Sequence, residues 1–311
     1  MLLLMRILRA LPMTWRRIVL RRLDRFKSLD SALAGLGIVQ YRHAGLTISV
    51  NLSDQLGREM IKNGFTERPF LKLVKRYAAH HPGCLIDIGA NLGNYALALA
   101  PHFNHTIAFE ANPGVFAQLQ TNSSVNPQLN ITPIATGLSD RDTELDFYPN
   151  DAGNSGASGF EKKRDGKEAV RLKVERGDNF ASLFEPAVAA IKIDVEGHEL
   201  EVLHGLSATI ERDRPIIFME WLTDTMSGKG GFEALRASLP GYRIYVPCAR
   251  TKRHPLGKTN APRHRLTELR ELEPPYRGKY NLIFCFPKEE CPPRVNLKQS
   301  RVSRFSSRRG A

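Results

Sequence analysis

The acids of this sequence stand where chemistry is done. Asp194 follows the apolar run "AAIKI", Glu196 comes two residues later, and Glu220 closes "IIFME". Asp87 ends the run "CLID", and Glu110 ends "IAFE". Each run has the length of a strand. A carboxylate at the edge of a buried segment is costly unless it is paired or binds something. Asp194 could orient an acceptor hydroxyl and take its proton. An alcohol of pKa ~15.7 and an aspartate of ~3.9 differ by about 16 kcal/mol in proton affinity. Proton removal must therefore be late and concerted with bond formation, or a metal must assist.

If the strands that end in Asp194 and Glu220 are neighbours, about 4.8 Å apart, the two acids could share Mg²⁺, which takes oxygen ligands. Mg²⁺ is the minor alternative here, and no residue is assigned to a metal. "HELEVLH" is not a zinc helix. His198 and His204 are six residues apart and point about 120° from each other on a helix, whereas the zinc helix uses a spacing of four. His198 is a candidate auxiliary base beside Asp194, Glu196 and Glu220.

The second constellation is the turn Asp87-Ile-Gly89-Ala90-Asn91-Leu92-Gly93. Gly89 permits a tight turn, and Gly93 lets the backbone come close to a ligand. A dinucleotide cradle would read G-x-G-x-x-G and seat a pyrophosphate on a helix N-terminus. Asn91 and Asn94 stand at the second and third of those glycine positions. Asp87 would repel a pyrophosphate but suits a cation. Glu110, 21 residues beyond Gly89, is placed to accept both hydroxyls of a ribose. A nucleoside with positive charge and no phosphate fits both features, and S-adenosylmethionine is such a ligand. An NAD-dependent oxidoreductase is disfavoured.

These residues need a scaffold. Short apolar runs recur at Leu85–Ile88, Thr106–Phe109, Ile131–Ala135, Ala190–Val195, Pro215–Trp221, Tyr242–Val246 and Tyr280–Phe286. Helical stretches separate the first five, so the pattern predicts βαβ units and a parallel sheet. Upstream, "GIVQYRHAGLTISVNL" alternates like a strand or two. The following helical stretch, residues 54–81, breaks near Gly64 and Pro69. "ELDFYP" and "VRLKVERGD" are expected to pair as an antiparallel flap. A helix after Asp194 presents Leu200, Leu203 and Leu206 as an apolar stripe. A long basic loop is expected over residues 248–265.

At this point a resemblance is specific. "LIDIGANLGNYA", "FEANPGVFAQLQTNSSVN", "GLSD" and "IKIDVEGHELEVLHGL" resemble the FkbM-type S-adenosylmethionine-dependent methyltransferases. "ISVNLSDQLGREMIKNGFTERPFLKLVKRY" is similar to that family's lead-in helices. The likeness runs from about residue 45 to 221, weakly on to 287, and covers neither end. It implies an α/β class I methyltransferase (Rossmann-like) fold. Such a fold has a seven-stranded, mostly parallel sheet of order 3-2-1-4-5-7-6, with helices on both faces. It also implies O-methylation of a hydroxyl on a small molecule or glycan. Carried over by motif, Asp87, Gly89, Asn91 and Gly93 would line the methionine end of the cofactor, with Ala90 and Asn94 beside them. Glu110 would hold the ribose, with Asn112 close by. Ser139 and Asp140, at the end of the third strand, would lie near the adenine edge.

The net charge of the 311 residues is +13. Residues 1–27 hold eight bases and one acid, and residues 287–311 hold seven bases and two acids. That leaves 30 bases and 29 acids in the body. The surplus therefore sits on the ends, which neither define the function nor carry the interleaved aromatics of a nucleic-acid platform. The four cysteines form no CxxC pair, which favours a reducing compartment. No apolar stretch approaches the roughly 18 residues of a spanning helix. The expected organisation is a basic N-terminal helix and lead-in over 1–44, a methyltransferase domain over 45–287 and a basic disordered tail over 288–311. The expected location is cytoplasmic, with peripheral membrane contact through the N-terminal helix as the open alternative. The partners expected are a small-molecule or glycan acceptor and no specific nucleic acid. The competing readings are a nucleic-acid methyltransferase and a non-catalytic membrane- or polyanion-binding module.

Overall fold

The computed structural model describes residues 33–150, 153–160, 168–221, 226–250, 263–268, 282–290, 292 and 297–298. The expected basic N-terminal helix, its membrane contact, residues 251–262 of the basic loop and the tail beyond residue 298 lie outside the described residues.

The first strands among the described residues form a hairpin, β1 (Ile38–His43) and β2 (Leu46–Asn51), turning at Ala44-Gly45, both in the left-handed region. Helix α1 (Gln55–Asn63) is capped by Asp54, whose carboxylate accepts from Leu56 N at 2.8 Å. Helix α2 (Arg68–Ala78) carries Pro69 in its first turn. Gly64 thus ends one helix, and Pro69 starts the next rather than breaking it. Then follow β3 (Cys84–Ile88), α3 (Asn94–Leu99), β4 (His105–Phe109), α4 (Pro113–Ser124) and β5 (Ile131–Ile134).

A small second sheet interrupts this rhythm. It comprises β6 (Gly137–Ser139), β7 (Thr143–Phe147) and β8 (Val170–Arg176), in the order β6-β8-β7. β7 and β8 pair antiparallel, as the two polar alternating stretches suggest. The main sheet resumes with β9 (Val188–Ile193), α5 (Glu199–Gly205), α6 (Ser207–Asp213) and β10 (Ile216–Glu220). The last elements are α7 (Gly231–Ser238), β11 (Tyr242–Arg250), β12 (Arg263–Glu268), β13 (Leu282–Pro287) and β14 (Leu297–Lys298).

All seven apolar runs are strands of one sheet, whose order is β14-β12-β11-β13-β10-β9-β3-β4-β5. β5, β4, β3, β9 and β10 are parallel, and β13 runs against both β10 and β11. Strand parity explains the unbroken apolar runs. Leu85, Ala190, Ile216 and Phe218 pack beneath α1, α2 and α3. Ile86, Ile191, Ile193, Ile217 and Met219 pack on the opposite face with Leu200, Leu203, Leu206 and Leu235. A strand covered on both faces has no polar alternation to show.

Three features go beyond the expected organisation. The sheet has nine strands among the described residues, because β12 and β14 extend its β11 edge. β12 takes the end of the expected 248–265 loop, and β14 lies within the expected disordered tail. β14 is the edge strand and pairs with β12 only at Arg263 and His264, so β12 is next to the edge, where charged residues are tolerated and mask the strand pattern. The boundary at residue 44 falls in the turn of the β1–β2 hairpin, whose Val39, Tyr41, Ile48 and Val50 share the core of the main sheet.

Strand order reverses between β3 and β9: the chain steps from β3 outward to β4 and β5, then crosses back to β9 and β10. Ligands of such sheets sit beyond the carboxyl ends of the strands at this switch point.

Candidate active site

Parity places the polar residues. Alternation along β3, β9 and β10 puts Asp87, Lys192, Asp194 and Glu220 on the face of Leu85, Ala190 and Phe218, at the carboxyl ends. The register sets Asp87 beside Lys192. The Lys192 Nζ lies 3.3 Å from Asp87 Oδ1 and 3.6 Å from Asp194 Oδ2. It also donates to the carbonyls of Gly89 at 2.7 Å and Ile88 at 3.3 Å. Burial alone would push the Lys192 ammonium down, but Asp87 and Asp194 outweigh it and hold it above the ordinary lysine value. Burial pushes the Asp87 carboxyl up against the pull of Lys192.

Asp87 is fully buried. It lies beneath the turn, outside the cleft, and its charge is answered by Lys192 rather than by a ligand. The sequence reading missed Lys192. Its signal was available: a lone lysine inside an otherwise apolar, strand-length run is rare unless the lysine is paired.

Above Asp87 the chain makes three left-handed residues in alternation, Gly89 (φ 70°), Asn91 (φ 52°) and Gly93 (φ 98°). Asparagine tolerates that region better than most side chains, so Asn91 fills the middle position without a glycine. A Cβ on Gly89 would sit 1.9 Å from the Asp194 carbonyl oxygen. It is therefore the end of β9 that demands glycine there. A Cβ on Gly93 would meet Leu119 of α4 and Leu97 of α3, and Gly93 is not among the residues that line the cleft.

The Asn91 amide donates to Glu110 Oε2 and the Asn112 amide to Glu110 Oε1, each at 2.9 Å. Burial raises the Glu110 carboxyl, and these two amides and Lys192 pull it back. Each carboxylate oxygen keeps a further acceptor site, so a vicinal diol can bind both. Asn94 lines the cleft and accepts from Thr66 N at 2.9 Å, joining the start of α3 to the entry of α2.

Across the cleft stand Asp194, Glu196 and Glu220, with one carboxylate oxygen of each within 4.8 Å of the others. Burial, then Asp194 and Glu196, pushes the Glu220 carboxyl up to about 10. At neutral pH Glu220 therefore keeps its proton beside the other two acids. Such a cluster suits a shared proton or an oxygen-seeking divalent cation. Glu196 is left-handed (φ 58°). The turn that carries it is pinned by the fully buried Glu199, whose Oε1 accepts from Gly197 N at 3.1 Å and Val195 N at 3.3 Å. The sequence reading gave Glu199 no role.

The cleft between these groups has a volume of about 510 Å³. It brings together Gly89, Ala90, Asn91, Asn94, Glu110, Asn112, Asp194, Glu196 and Glu220. Residues 154–156 and 158–160 lie along it, after the β7 strand of the flap. Glu67 and Tyr95, also unassigned in the sequence, line it too.

Five candidates are not at the cleft: Asp87, Gly93, Ser139, Asp140 and His198. Ser139 ends β6, not β5, because the chain leaves the main sheet after Ile134 to start the second sheet. Its Oγ lies 3.0 Å from His198 Nε2, and His198 Nδ1 lies 3.7 Å from Glu201 Oε2. Ser139, Asp140 and His198 line a separate hollow of about 390 Å³. Thr136, Gly137 and Leu138, just before them, are the residues of this stretch that border the cleft.

Residues 87–244, half of the chain, match the model of the methyltransferase FkbM domain. The chain belongs to that family. The matched span of the FkbM domain contains the Gly89 turn, Glu110 and the Asp194–Glu196–Glu220 cluster, and stops before β12. Over 134 residues the chain is 32% identical to "Hexuronic acid methyltransferase AglP" of Haloferax volcanii, covering 43% of this chain and 54% of that protein. It is 27% identical over 143 residues to "Methyltransferase 1" of Beauveria bassiana, covering 39% of this chain and 57% of that one. The FkbM chain thus spans little more than half the length of these two relatives. Its backbone is also similar to the crystal structure of methyltransferase FkbM from Methylobacillus flagellatus, with a TM-score of 0.41 and 15% identity, covering 76% of this chain and 53% of that one.

Proposed function

We propose that this chain is an S-adenosylmethionine-dependent O-methyltransferase that acts on a hydroxyl of a small molecule or glycan. The observation that carries the reading is Glu110. Its two oxygens are held by the Asn91 and Asn112 amides at the switch point, in a cleft whose opposite wall is acidic. That arrangement suits a ribose diol on a cationic nucleoside and offers no cradle for a pyrophosphate. Membership of the FkbM family and the similarity to a hexuronic acid methyltransferase support a sugar-like acceptor.

The residues divide the work as follows. Glu110 accepts the ribose hydroxyls. The Gly89–Asn91 turn and Asn94 form the floor of the cleft on the methionine side, and Thr136 to Leu138 border the adenine side. When bound, the cofactor supplies an electrophilic methyl group on a sulfonium. Asp194 receives the acceptor hydroxyl and its proton, late in the transfer. Lys192 stands 3.6 Å from Asp194 and lies between it and Asp87. Glu220, keeping its own proton, can donate a hydrogen bond to Asp194 or to the acceptor. Most of the acceleration comes from holding oxygen, methyl and sulfur in line with water excluded.

The test is a screen of hydroxylated glycans, uronides and lipid-linked sugars with labelled methyl donor, with and without chelator. Label on at least one acceptor, lost in Asp194→Asn, is the expected result. A protein that binds no S-adenosylmethionine would overturn the reading.

A further inference from the structure

The buried Asp87–Lys192 pair leaves the methionine end of the cleft without the carboxylate that the sequence offered it. An amino-acid ammonium carries a full charge, and burying it without a partner is expensive. Another acid must answer it. Glu59 and Glu67 both line the cleft, and Glu67 is the one tied to the first turn of α3. It precedes α2, lines the cleft, and belongs to neither the Glu110 side nor the Asp194–Glu196–Glu220 cluster.

Three local features mark Glu67. Its backbone is left-handed (φ 47°, ψ 35°) although it is not a glycine, a strain that is kept where the surroundings require it. Tyr95, in the first turn of α3, donates its hydroxyl to Glu67 Oε2 at 2.8 Å and so fixes the carboxylate beside the methionine-side turn. The residue before it, Thr66, is tied to Asn94 at 2.9 Å, so the whole stretch is docked on the start of α3. The charged and titratable groups facing Glu67 are Tyr95 from α3, and Lys192 and Asp194 from the end of β9.

Resting on the S-adenosylmethionine reading above, we propose that Glu67, positioned by Tyr95, binds the α-ammonium of the cofactor's methionine moiety. The Lys192 ammonium, 5.6 Å from the centre of the Tyr95 ring, lies on the same side and suits the α-carboxylate. Glu67 has both of the properties an ammonium ligand needs: an open face on the cleft and a hydrogen bond that holds it there. Burial, opposed by the Tyr95 hydrogen bond, pushes its carboxyl up to about 7. Cofactor binding should therefore strengthen as pH rises through neutrality, because only the carboxylate pairs with an ammonium.

The experiment is calorimetry on the full chain with two probes. S-adenosylhomocysteine carries the ammonium, and 5′-methylthioadenosine lacks the amino-acid end altogether. Glu67→Gln should weaken S-adenosylhomocysteine about ten- to a hundredfold, the range of a hydrogen bond to a charged group, and leave 5′-methylthioadenosine within about twofold. It should also flatten the pH dependence of S-adenosylhomocysteine binding between pH 6 and 8, while Tyr95→Phe lies between the two. Glu110→Ala should weaken both probes. Equal weakening of both by Glu67→Gln would make Glu67 structural, and no weakening of either would remove it from the cofactor. Either result overturns the proposal. Wild-type protein that binds neither probe would instead overturn the cofactor reading itself.

Discussion

The Lys192 ammonium stands between two carboxylates of different strands, 3.3 Å from Asp87 and 3.6 Å from Asp194. Asp87 is fully buried and Lys192 nearly so. Removing one partner of such a pair leaves an uncompensated buried charge. Lys192→Met should therefore destabilise the fold by about 3–5 kcal/mol. The double variant Asp87→Asn/Lys192→Met should recover most of that loss. Denaturant unfolding of the three proteins checks it, and a double variant no more stable than Lys192→Met would show that the pair is not the cause.

Gly89 couples the turn to the end of β9. Its position leaves 1.9 Å between a Cβ and the Asp194 carbonyl oxygen, at φ 70°. Gly89→Ala should cost more than about 2 kcal/mol of stability through clash and left-handed strain together. Thermal unfolding reads the effect; a melting temperature within a degree of wild type would contradict the close approach.

Asp194→Asn keeps size and shape but cannot take a proton. Turnover should fall by about 10²–10⁴-fold, while S-adenosylmethionine affinity stays within a few-fold. Steady-state kinetics beside calorimetry separates the two. Equal loss of rate and affinity would show that Asp194 shapes the cleft rather than acting on the acceptor.

The Glu220 carboxyl, pushed up to about 10 from an ordinary 4.5, gives the fold a pH signature. The folded state holds this proton over a range in which the unfolded chain has released it. Stability from this group is thus full below the unfolded pKa and is lost as pH rises toward the folded value. Unfolding free energy should fall between about pH 5 and 10, and Glu220→Gln should flatten that fall. Denaturant titrations at three pH values across the window test it; parallel pH curves for the two proteins would contradict the assignment.

The scaffold was legible because its signals are local. Seven apolar runs separated by helices identify a parallel sheet covered on both faces, and the acids at their ends lie along its carboxyl edge. The spacing from Gly89 to Glu110 matches a carboxylate at the switch point whose two oxygens are held by the Asn91 and Asn112 amides. What failed were inferences about direction. Asp87 ends a strand as Glu110 does, but it meets Lys192 across the register instead of facing the cleft. Ser139 read as the end of the third strand, yet the chain had already left that sheet at Ile134. β12 was hidden by its charges, since a strand next to a sheet edge, covered only by the two residues of β14, needs no apolar alternation. Glu67 was invisible for a different reason. Its role depends on the docking of α2 on α3, a contact between residues 28 apart in the chain, which no local pattern encodes.

The most direct test of the account is a calorimetric titration of the full chain with S-adenosylmethionine and, separately, with NAD, repeated on Glu110→Ala. The wild-type protein should bind S-adenosylmethionine and not NAD, and Glu110→Ala should bind S-adenosylmethionine about ten- to a hundredfold more weakly. Binding of NAD in place of S-adenosylmethionine, or an affinity unchanged by Glu110→Ala, would contradict it.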